Sequence, residues 1–136
     1  MSIYKTKVKR ISGYDYHDVM SKALKIYHEI KKRSKRKPYI RSAYFNKDKI
    51  FLDYFWGHLN QKIWIERLRR LKFYPCALDL LKHNRTEPIL KKELKKDNAI
   101  LYRFIGETPD GSKFYVQIKE NLSKKQKYLI SIFPDN

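Results

Sequence analysis

Alternating hydrophobic and polar positions mark the last third of the chain. Three segments rich in β-branched and aromatic residues, Ile100–Gly106, Phe114–Lys119 and Lys127–Phe133, show the period of two that is typical of strands. The Pro-Asp-Gly sequence at 109–111 favours a tight reversal between the first two, because Pro fixes φ and Asp-Gly accepts positive φ. Residues 121–126 are charged and lack Gly, which predicts a looser second hairpin. The pattern predicts a three-stranded antiparallel meander.

The same alternation assigns side chains to two faces of this sheet, because successive residues of a strand point to opposite sides. The predicted buried face consists of Ile100, Tyr102, Phe104, Phe114, Val116, Ile118, Tyr128, Ile130 and Ile132. The opposite face is mixed and consists of Leu101, Arg103, Ile105, Tyr115, Gln117, Lys119, Leu129, Ser131 and Phe133. Such a face is either a solvated surface partly covered by a helix or a surface that binds an anionic ligand.

Helical periodicity characterises most of the preceding sequence. Asp15 is suited to cap a helix that runs to about Lys32, after an N-terminal strand or extended arm at residues 4–11. Pro38 ends this region, and residues 39–45 read as a short extended segment.

Three further helices are expected before the sheet. Asn46 can cap a helix over Lys47–Gln61, which is apolar almost all round and should be buried. Periodicity resumes over Ile63–Lys72, and Pro75 predicts a break followed by a helix to about His83. Residues 84–98 are polar and indicate a connector or a short amphipathic helix.

Helices first and strands last indicate an α+β fold, with N-terminal helices packed on one face of a C-terminal antiparallel β-meander. We expect one domain over residues 1–136. It would comprise a basic helical N-terminal extension at 1–37, a helical half at 38–98 and the meander at 99–134.

Charge narrows the choice of ligand. The 136 residues include 32 Lys and Arg against 14 Asp and Glu, a net charge of +18, while 42% are hydrophobic and 15% aromatic. A folded domain that repels itself this strongly is typical of proteins with a polyanionic partner, and nucleic acid is the leading candidate, ahead of a membrane surface. The run KKRSKRK at 31–37 is either a solvated linker or a phosphate-contacting arm, and the overall charge favours the arm. No segment is long and apolar enough to predict a membrane span.

The remaining composition favours the cytoplasm and offers no metal site. Residues 1–10 are charged and lack the apolar run of a signal peptide. Cys76 is the single cysteine and lies in an apolar run, so we expect a buried small hydrophobe rather than a nucleophile. The four histidines, at 17, 28, 58 and 83, show none of the spacings that preassemble zinc ligands, and no cofactor is predicted.

Several local motifs together resemble a known group of nucleases. They are the Arg-Ser-x-Tyr-Phe segment at 41–45, the sequence RRLKFYPCA at 69–77, and the meander pattern Arg-Phe-x-Gly-x-Thr-x-Asp-Gly, Phe-x-Val-x-Ile-Lys and Tyr-Leu-Ile-Ser-Ile-Phe-Pro. Over most of residues 38–134 the chain is similar to the phage and mobile-element branch of the barnase, EndoU, colicin D and RelE-like (BECR) nucleases. The resemblance implies a small metal-independent RNase, with helices on one face of the sheet and RNA on the other, and often a toxin.

The active residues vary among these nucleases, so the resemblance implies the chemical type of residue at a position and not its identity. Basic or hydroxyl groups on the open sheet face match Arg103, Lys119 and Ser131, and a basic-hydroxyl pair before the sheet matches Arg41 and Tyr44. Because the predicted strands carry no His and no outward Glu, the charge-dominated RelE-like style is the closer match.

Metal-free RNA cleavage requires alignment of the 2′-oxygen, stabilisation of the developing charge and a proton for the leaving 5′-oxygen. Arg103 and Lys119 would supply the charge, and Tyr115 or Tyr44 would stack a base or relay a proton. His58 is a candidate general acid, and a packed or boundary histidine is the alternative. The candidate RNA contacts are Lys31, Lys32, Arg33, Lys35, Arg36, Lys37, Lys49, Arg67, Arg70, Tyr115 and Gln117.

Two other classes of function fit the same pattern. One is a non-catalytic nucleic-acid-binding module that uses the basic run and the sheet face as a phosphate platform. The other is an accessory protein that docks to ribosomal RNA or to an acidic partner. For a nuclease, the expected partners are RNA, free or on the ribosome, and an acidic antitoxin or immunity protein.

Overall fold

The computed structural model describes residues 3–135, which form four α-helices, one short 3-10 helix and seven strands. In chain order these are β1 (Tyr4–Lys5), α1 (Tyr16–Arg33), β2 (Tyr39–Arg41), β3 (Lys49–Phe51), α2 (Asp53–Leu59), α3 (Trp64–Leu71), α4 (Tyr74–His83), β4 (Leu90–Leu94), the 3-10 helix (Lys95–Asp97), β5 (Ala99–Glu107), β6 (Lys113–Asn121) and β7 (Gln126–Pro134).

The elements with the strongest local signals form as expected. Asp15 caps α1, its carboxylate accepting a hydrogen bond from the backbone N–H of His17. The three predicted strands of the meander are present as β5, β6 and β7, each slightly longer than its pattern indicated. Gly111 adopts a φ of +85° in the β5–β6 turn, which confirms the predicted reversal.

The prediction of an antiparallel meander is wrong for the sheet as a whole, because the sheet is mixed. The strand order is β1-β5-β6-β7-β3-β2, with β4 also paired to β5. β1 runs parallel to β5, and β3 runs parallel to β7. A bare three-stranded meander would leave two rows of backbone N–H and C=O groups unpaired, and these short strands pair with parts of both edges.

The predicted helix over Lys47–Gln61 is also wrong in its first third. Asn46 and Lys47 have φ values of +55° and +67° and lie in the reversal between β2 and β3, not at a helix start. Ile50 is fully buried within β3, and helix α2 begins only at Asp53. A segment that is apolar on all sides fits a buried strand as well as a buried helix, so periodicity alone does not distinguish them.

Residues 84–98 are not merely a connector, and the amphipathic helix offered as the alternative does not form over them. Their centre is β4, which pairs antiparallel with β5 from Leu90 opposite Arg103 to Leu94 opposite Ala99. Its composition is charged because it is an edge strand with exposed side chains at its centre.

The hydrophobic core lies between the helices and one face of the sheet. The ring of Phe73, just before α4, stacks on that of Phe114 with centroids 5.2 Å apart. Gly106 lies directly beneath this layer, where an added Cβ would come within 2.6 Å of the Phe114 ring and 2.9 Å of a Leu80 methyl. The close approach of α4 to the sheet therefore requires glycine at this position.

A β-bulge in β7 changes the predicted face assignment. Gln117 lies opposite Ser131, but Ile118 lies opposite Leu129, so Ile130 is an extra residue in β7. Leu129 consequently belongs to the core, and the predicted face of Tyr128 and Ile130 is wrong. Tyr128 is nevertheless buried as predicted, since its ring packs on that of Tyr54 in α2. The assignments of Arg103 and Phe104 are unaffected, since they precede the bulge in the sheet.

Within the described part of the chain, none of the helices has the length and hydropathy needed to cross a membrane.

Candidate active site and nucleic-acid interface

The candidate site begins with three polar side chains in one row across the sheet. Arg103 of β5 lies opposite Gln117 of β6, which lies opposite Ser131 of β7, so all three project from the face opposite the core. Arg103 donates hydrogen bonds from Nε and Nη2 to Oε1 of Gln117, at 2.9 and 2.8 Å. We call this side of β5, β6 and β7 the open face. The register places these residues together as the sequence predicted.

Helix α3 adds a second guanidinium to this row. Leu68 and Leu71 fix the buried side of α3, and Arg70 extends to the sheet, where Nη1 donates to Oγ of Ser131 at 3.1 Å. Glu66 holds the other side of this guanidinium, with Oε2 3.4 Å from Arg70 Nε. The guanidinium carbons of Arg70 and Arg103 lie 5.6 and 5.5 Å from the centroid of Phe133, so both cations contact one aromatic ring.

A pocket of about 340 Å³ opens between this row and helix α2. Its polar lining consists of His58, Lys62, Arg70, Gln117 and Ser131, and its apolar lining consists of Phe55, Leu59, Ile130 and Phe133. His58 is solvent-exposed on α2, next to the buried Leu59. The pocket therefore combines an imidazole, an ammonium, a guanidinium and a hydroxyl.

A second row of side chains continues the open face across five strands. From β5 to β2, one residue of each strand lies opposite the next in this row: Leu101, Lys119, Tyr128, Phe51 and Tyr39. Lys119 is paired with Asp97 of the 3-10 helix, with Nζ and Oδ2 3.2 Å apart. Lys119 thus shares a face with Arg103 but lies in the neighbouring row, next to a carboxylate.

The outer end of this row is both aromatic and cationic. The Lys49 ammonium and the Arg41 guanidinium lie 4.7 and 5.5 Å from the centroid of the Tyr39 ring. Arg41 also donates to the backbone carbonyl of Lys47 at 3.0 Å. Arg41 and Lys49 are therefore at the β2–β3 edge of the sheet, several strands away from Arg103.

Tyr115 and Tyr44 occupy different surroundings. Tyr115 lies on the open face, 5.2 Å from Phe133 between ring centroids, and donates to Asp135 at 3.2 Å. Burial, and then the Asp135 carboxylate, raise the pKa of Tyr115, which favours a stacking role over proton transfer. Tyr44 packs on Phe104, on the helix side of the sheet, and burial and its hydrogen bond to Glu87 raise its pKa. Tyr44 is not adjacent to the Arg103 row.

The remaining predicted RNA contacts lie on the periphery. Arg67 donates to the backbone carbonyls of Lys62 and Asn60 at 2.8 and 3.2 Å, so it holds the α2–α3 loop that presents Lys62. The basic residues of the 31–37 run are all exposed, in the last turn of α1 and the bend after it: Lys31, Lys32, Arg33, Lys35, Arg36 and Lys37.

Sequence reasoning did not assign Lys62 to the site and gave Arg70 only a general role in RNA binding. Lys62 has no local signal, because its position depends on how the α2–α3 loop packs. The i, i+4 spacing of Glu66 and Arg70 is a local signal that could have predicted an oriented guanidinium, but not the strand that it reaches.

Among residues 3–135, no group of three or more His, Cys, Asp or Glu side chains is arranged to hold a metal ion. The sequence matches no protein-family model and no curated protein, and the fold matches no solved structure.

Proposed function

We propose that this protein is a metal-independent endoribonuclease whose active site is the pocket at the β7 bulge. The observation that supports the proposal most directly is the convergence of Arg70 and Arg103 on Phe133, since Arg70, Phe133 and Ser131 line a pocket that also contains His58. Two fixed guanidinium groups can stabilise the charge that develops on a phosphate during attack by a 2′-hydroxyl, and a nearby imidazole can accept the proton of that hydroxyl. The resemblance to the BECR nucleases implies the same reaction and the same face of the sheet.

The reaction follows from these groups. His58 accepts the proton of a ribose 2′-hydroxyl, whose oxygen attacks the adjacent phosphorus as the bond to the 5′-oxygen breaks. Arg70 and Arg103 stabilise the charge that develops on the phosphate oxygens, and Lys62 donates the proton to the leaving 5′-oxygen. Ser131 and Gln117 position the phosphate. The products are a 2′,3′-cyclic phosphate and a 5′-hydroxyl.

The open face favours single-stranded RNA over a duplex. Tyr115 and Phe133 offer rings beside the pocket, and Tyr39 offers another between two cations, so unpaired bases can stack along the sheet. The 31–37 run adds sequence-independent attraction for the phosphate backbone. The proposed setting is the cytoplasm, on RNA that is free or bound to the ribosome.

The direct test is incubation of the purified protein with RNA in EDTA, followed by analysis of the fragment ends. Fragments that end in 2′,3′-cyclic phosphate are expected, and His58→Ala should lose them while still binding RNA. His28→Ala is the matched control, because His28 is an exposed histidine of α1 outside the pocket. Intact RNA after prolonged incubation with folded protein would contradict the proposal.

A non-catalytic RNA-binding module is the second candidate, and the Tyr39, Arg41 and Lys49 cluster favours it because binding there needs no chemistry. The two functions differ in the effect of His58. In a binding module His58→Ala changes nothing that can be measured, whereas in a nuclease it abolishes cleavage and leaves affinity within a few-fold.

An acidic antitoxin or immunity protein is the proposed protein partner. Ile63, Trp64 and Ile65 are exposed to 67, 59 and 41% in succession, and they adjoin Lys62 of the pocket. A partner with a complementary apolar and acidic surface at this position would cover the pocket. We expect induction of the intact gene alone to stop bacterial growth and induction of His58→Ala to be tolerated. Harmless accumulation of the intact protein would contradict both the toxicity and the need for this partner.

A further inference from the structure

A larger pocket of about 570 Å³ lies away from the proposed active site. It is formed by the loop before α1, the residue after α3 and the β5–β6 turn, and its lining includes Lys9, Arg10, Tyr14, Lys72 and Asp110. We call it the Tyr14 pocket. Three of its side chains are cationic and one is anionic, and neither the core nor the proposed reaction accounts for that charge.

Tyr14 is the most informative residue of this pocket. The residue is 89% exposed, whereas tyrosine is on average partly buried. The ammonium of Lys72 lies 4.7 Å from the centre of the Tyr14 ring. The rest of the ring faces solvent, so a flat aromatic ligand can stack on it while the cation remains beneath.

The cations of the pocket are held close together. Arg10 is fixed by Asp110, with Nη2 and Oδ2 2.7 Å apart, and its guanidinium lies 5.4 Å from the centre of the Phe73 ring. Burial lowers the pKa of Lys72, and repulsion from Arg10 lowers it further. Lys9 is exposed at the rim of the pocket. Asp110 offsets one of the three positive charges, and a bound phosphate would relieve the remaining repulsion.

A groove extends from the Tyr14 pocket towards the proposed active site. Arg10 and Lys72 also line a groove of about 450 Å³ that ends at Pro134 and Asp135. Asp135 accepts the hydrogen bond of Tyr115, whose ring packs on Phe133 of the active site. The groove therefore extends from the Tyr14 pocket to the end of β7, beside a ring that contacts the active site.

We propose that the Tyr14 pocket binds a phosphorylated nucleoside, with the base stacked on Tyr14 and the phosphate held by Lys9, Arg10 and Lys72. Two sources have this chemistry: a free mononucleotide, and one nucleotide of an RNA strand that continues along the groove to the active site. The second source rests on the proposed function, and the first does not.

Binding is measured with the His58→Ala protein, which serves as the parent of the other variants. Because this protein does not cleave RNA, the result does not depend on whether the unsubstituted protein is a nuclease. The probes are inorganic phosphate, adenosine 5′-monophosphate, and single-stranded adenosine oligonucleotides of two and eight residues, titrated by calorimetry at low salt. Tyr14→Ala and Lys72→Gln are compared with Tyr54→Ala, the loss of an exposed ring that lines neither the Tyr14 pocket nor the proposed active site.

If the pocket binds a free nucleotide, adenosine monophosphate binds more tightly than phosphate, and Tyr14→Ala weakens its binding at least 10-fold while Tyr54→Ala does not. If the pocket binds part of an RNA strand, only the longer oligonucleotide binds tightly, and Tyr14→Ala removes at least 10-fold of that affinity. Equal affinities of the parent and the Tyr14→Ala and Lys72→Gln proteins for every probe would overturn the proposal. Since Tyr14 is outside the core, its loss should leave the melting temperature unchanged.

Discussion

Two adjacent residues of β5 have different roles, one in the proposed active site and one in the core. Arg103 lies on the open face and donates to Gln117, whereas Phe104 is 2% exposed and packs against Tyr44 and Phe45 on the other side. We expect Arg103→Ala to reduce RNA cleavage about 100-fold or more, as the loss of a preorganised donor does. The free energy of unfolding should change by less than about 1 kcal/mol, because the packing of the core stays intact.

Phe104→Ala is the matched substitution. It leaves a cavity in the core and should lower the free energy of unfolding by about 3 to 5 kcal/mol. Urea denaturation and an end-labelled RNA assay on both variants measure the two effects. A shift of one residue in strand register would exchange the two phenotypes, so a stable but inactive Phe104→Ala protein would refute this arrangement.

At the scale of elements, two glycines show that local packing decides whether a Gly→Ala substitution raises or lowers the free energy of unfolding. Gly106 of β5 has no room for a Cβ beneath Phe114 and Leu80, so Gly106→Ala should lower the free energy of unfolding by about 1 to 3 kcal/mol. Gly57 lies within helix α2, where an added Cβ meets nothing within 4 Å. Gly57→Ala should therefore raise the free energy of unfolding by about 0.5 to 1 kcal/mol. Denaturant unfolding of both proteins checks the opposite signs.

Elements with strong local signals were predictable, and elements defined by distant pairing were not. Asp15 and the Pro-Asp-Gly turn at 109–111 act through neighbouring backbone groups, so their effects can be read from the sequence. β3 is a strand because it lies beside β7, and nothing within residues 47–52 specifies that partner. The bulge at Ile130 could not be predicted for the same reason, since only the pairing of β6 with β7 shows the extra residue.

The candidate site was predictable to the same extent. Strand alternation placed Arg103, Gln117 and Ser131 on one face, because the period of two requires only a correct register. Arg70 and Lys62 come from helical segments whose approach to the sheet depends on tertiary packing, so no local pattern assigned them to the pocket. Tyr44 was placed beside the site by resemblance alone, and its contact with Phe104 puts it on the other side of the sheet.

At the scale of the whole molecule, the net charge of +18 should make RNA affinity steeply dependent on salt. Replacing the six basic residues of the 31–37 run with Gln should flatten the slope of log Kd against log salt, by about 0.7 for each phosphate of a single strand that the run neutralises. Fluorescence anisotropy from 50 to 300 mM salt measures both slopes. An unchanged slope would show that the run does not touch RNA.

Stability should fall in alkaline solution. Burial raises the pKa of the Cys76 thiol to about 11, and burial with the Asp79 hydrogen bond raises the pKa of Tyr4 to about 12. The unfolded chain loses these protons near pH 9 and 10, so above pH 9 it binds fewer protons than the folded chain. The free energy of unfolding should therefore decrease from about pH 9 to pH 12, with little change between pH 7 and 8.5 from these groups.

Tyr4→Phe tests the tyrosine part of this dependence. The variant should show a shallower loss of stability between pH 10 and 11.5 in urea titrations, whereas the exposed Tyr14→Phe control should follow the parent. An identical pH dependence in the Tyr4→Phe protein would contradict the assignment.

The pairing of early with late strands has a consequence during translation. Tyr4 lies opposite Gly106 and Ile50 lies opposite Lys127, so the N-terminal segments cannot complete the sheet until the C-terminal strands are made. Such non-local pairing slows folding, and the proposed active site also lacks Ser131 and Phe133 until β7 leaves the ribosomal tunnel. A nascent chain of this protein would thus remain inactive towards the ribosome and messenger that produce it. Ribosome-arrested chains with β7 still in the tunnel should be protease-sensitive and leave their messenger intact, and cleavage by such chains would contradict this view.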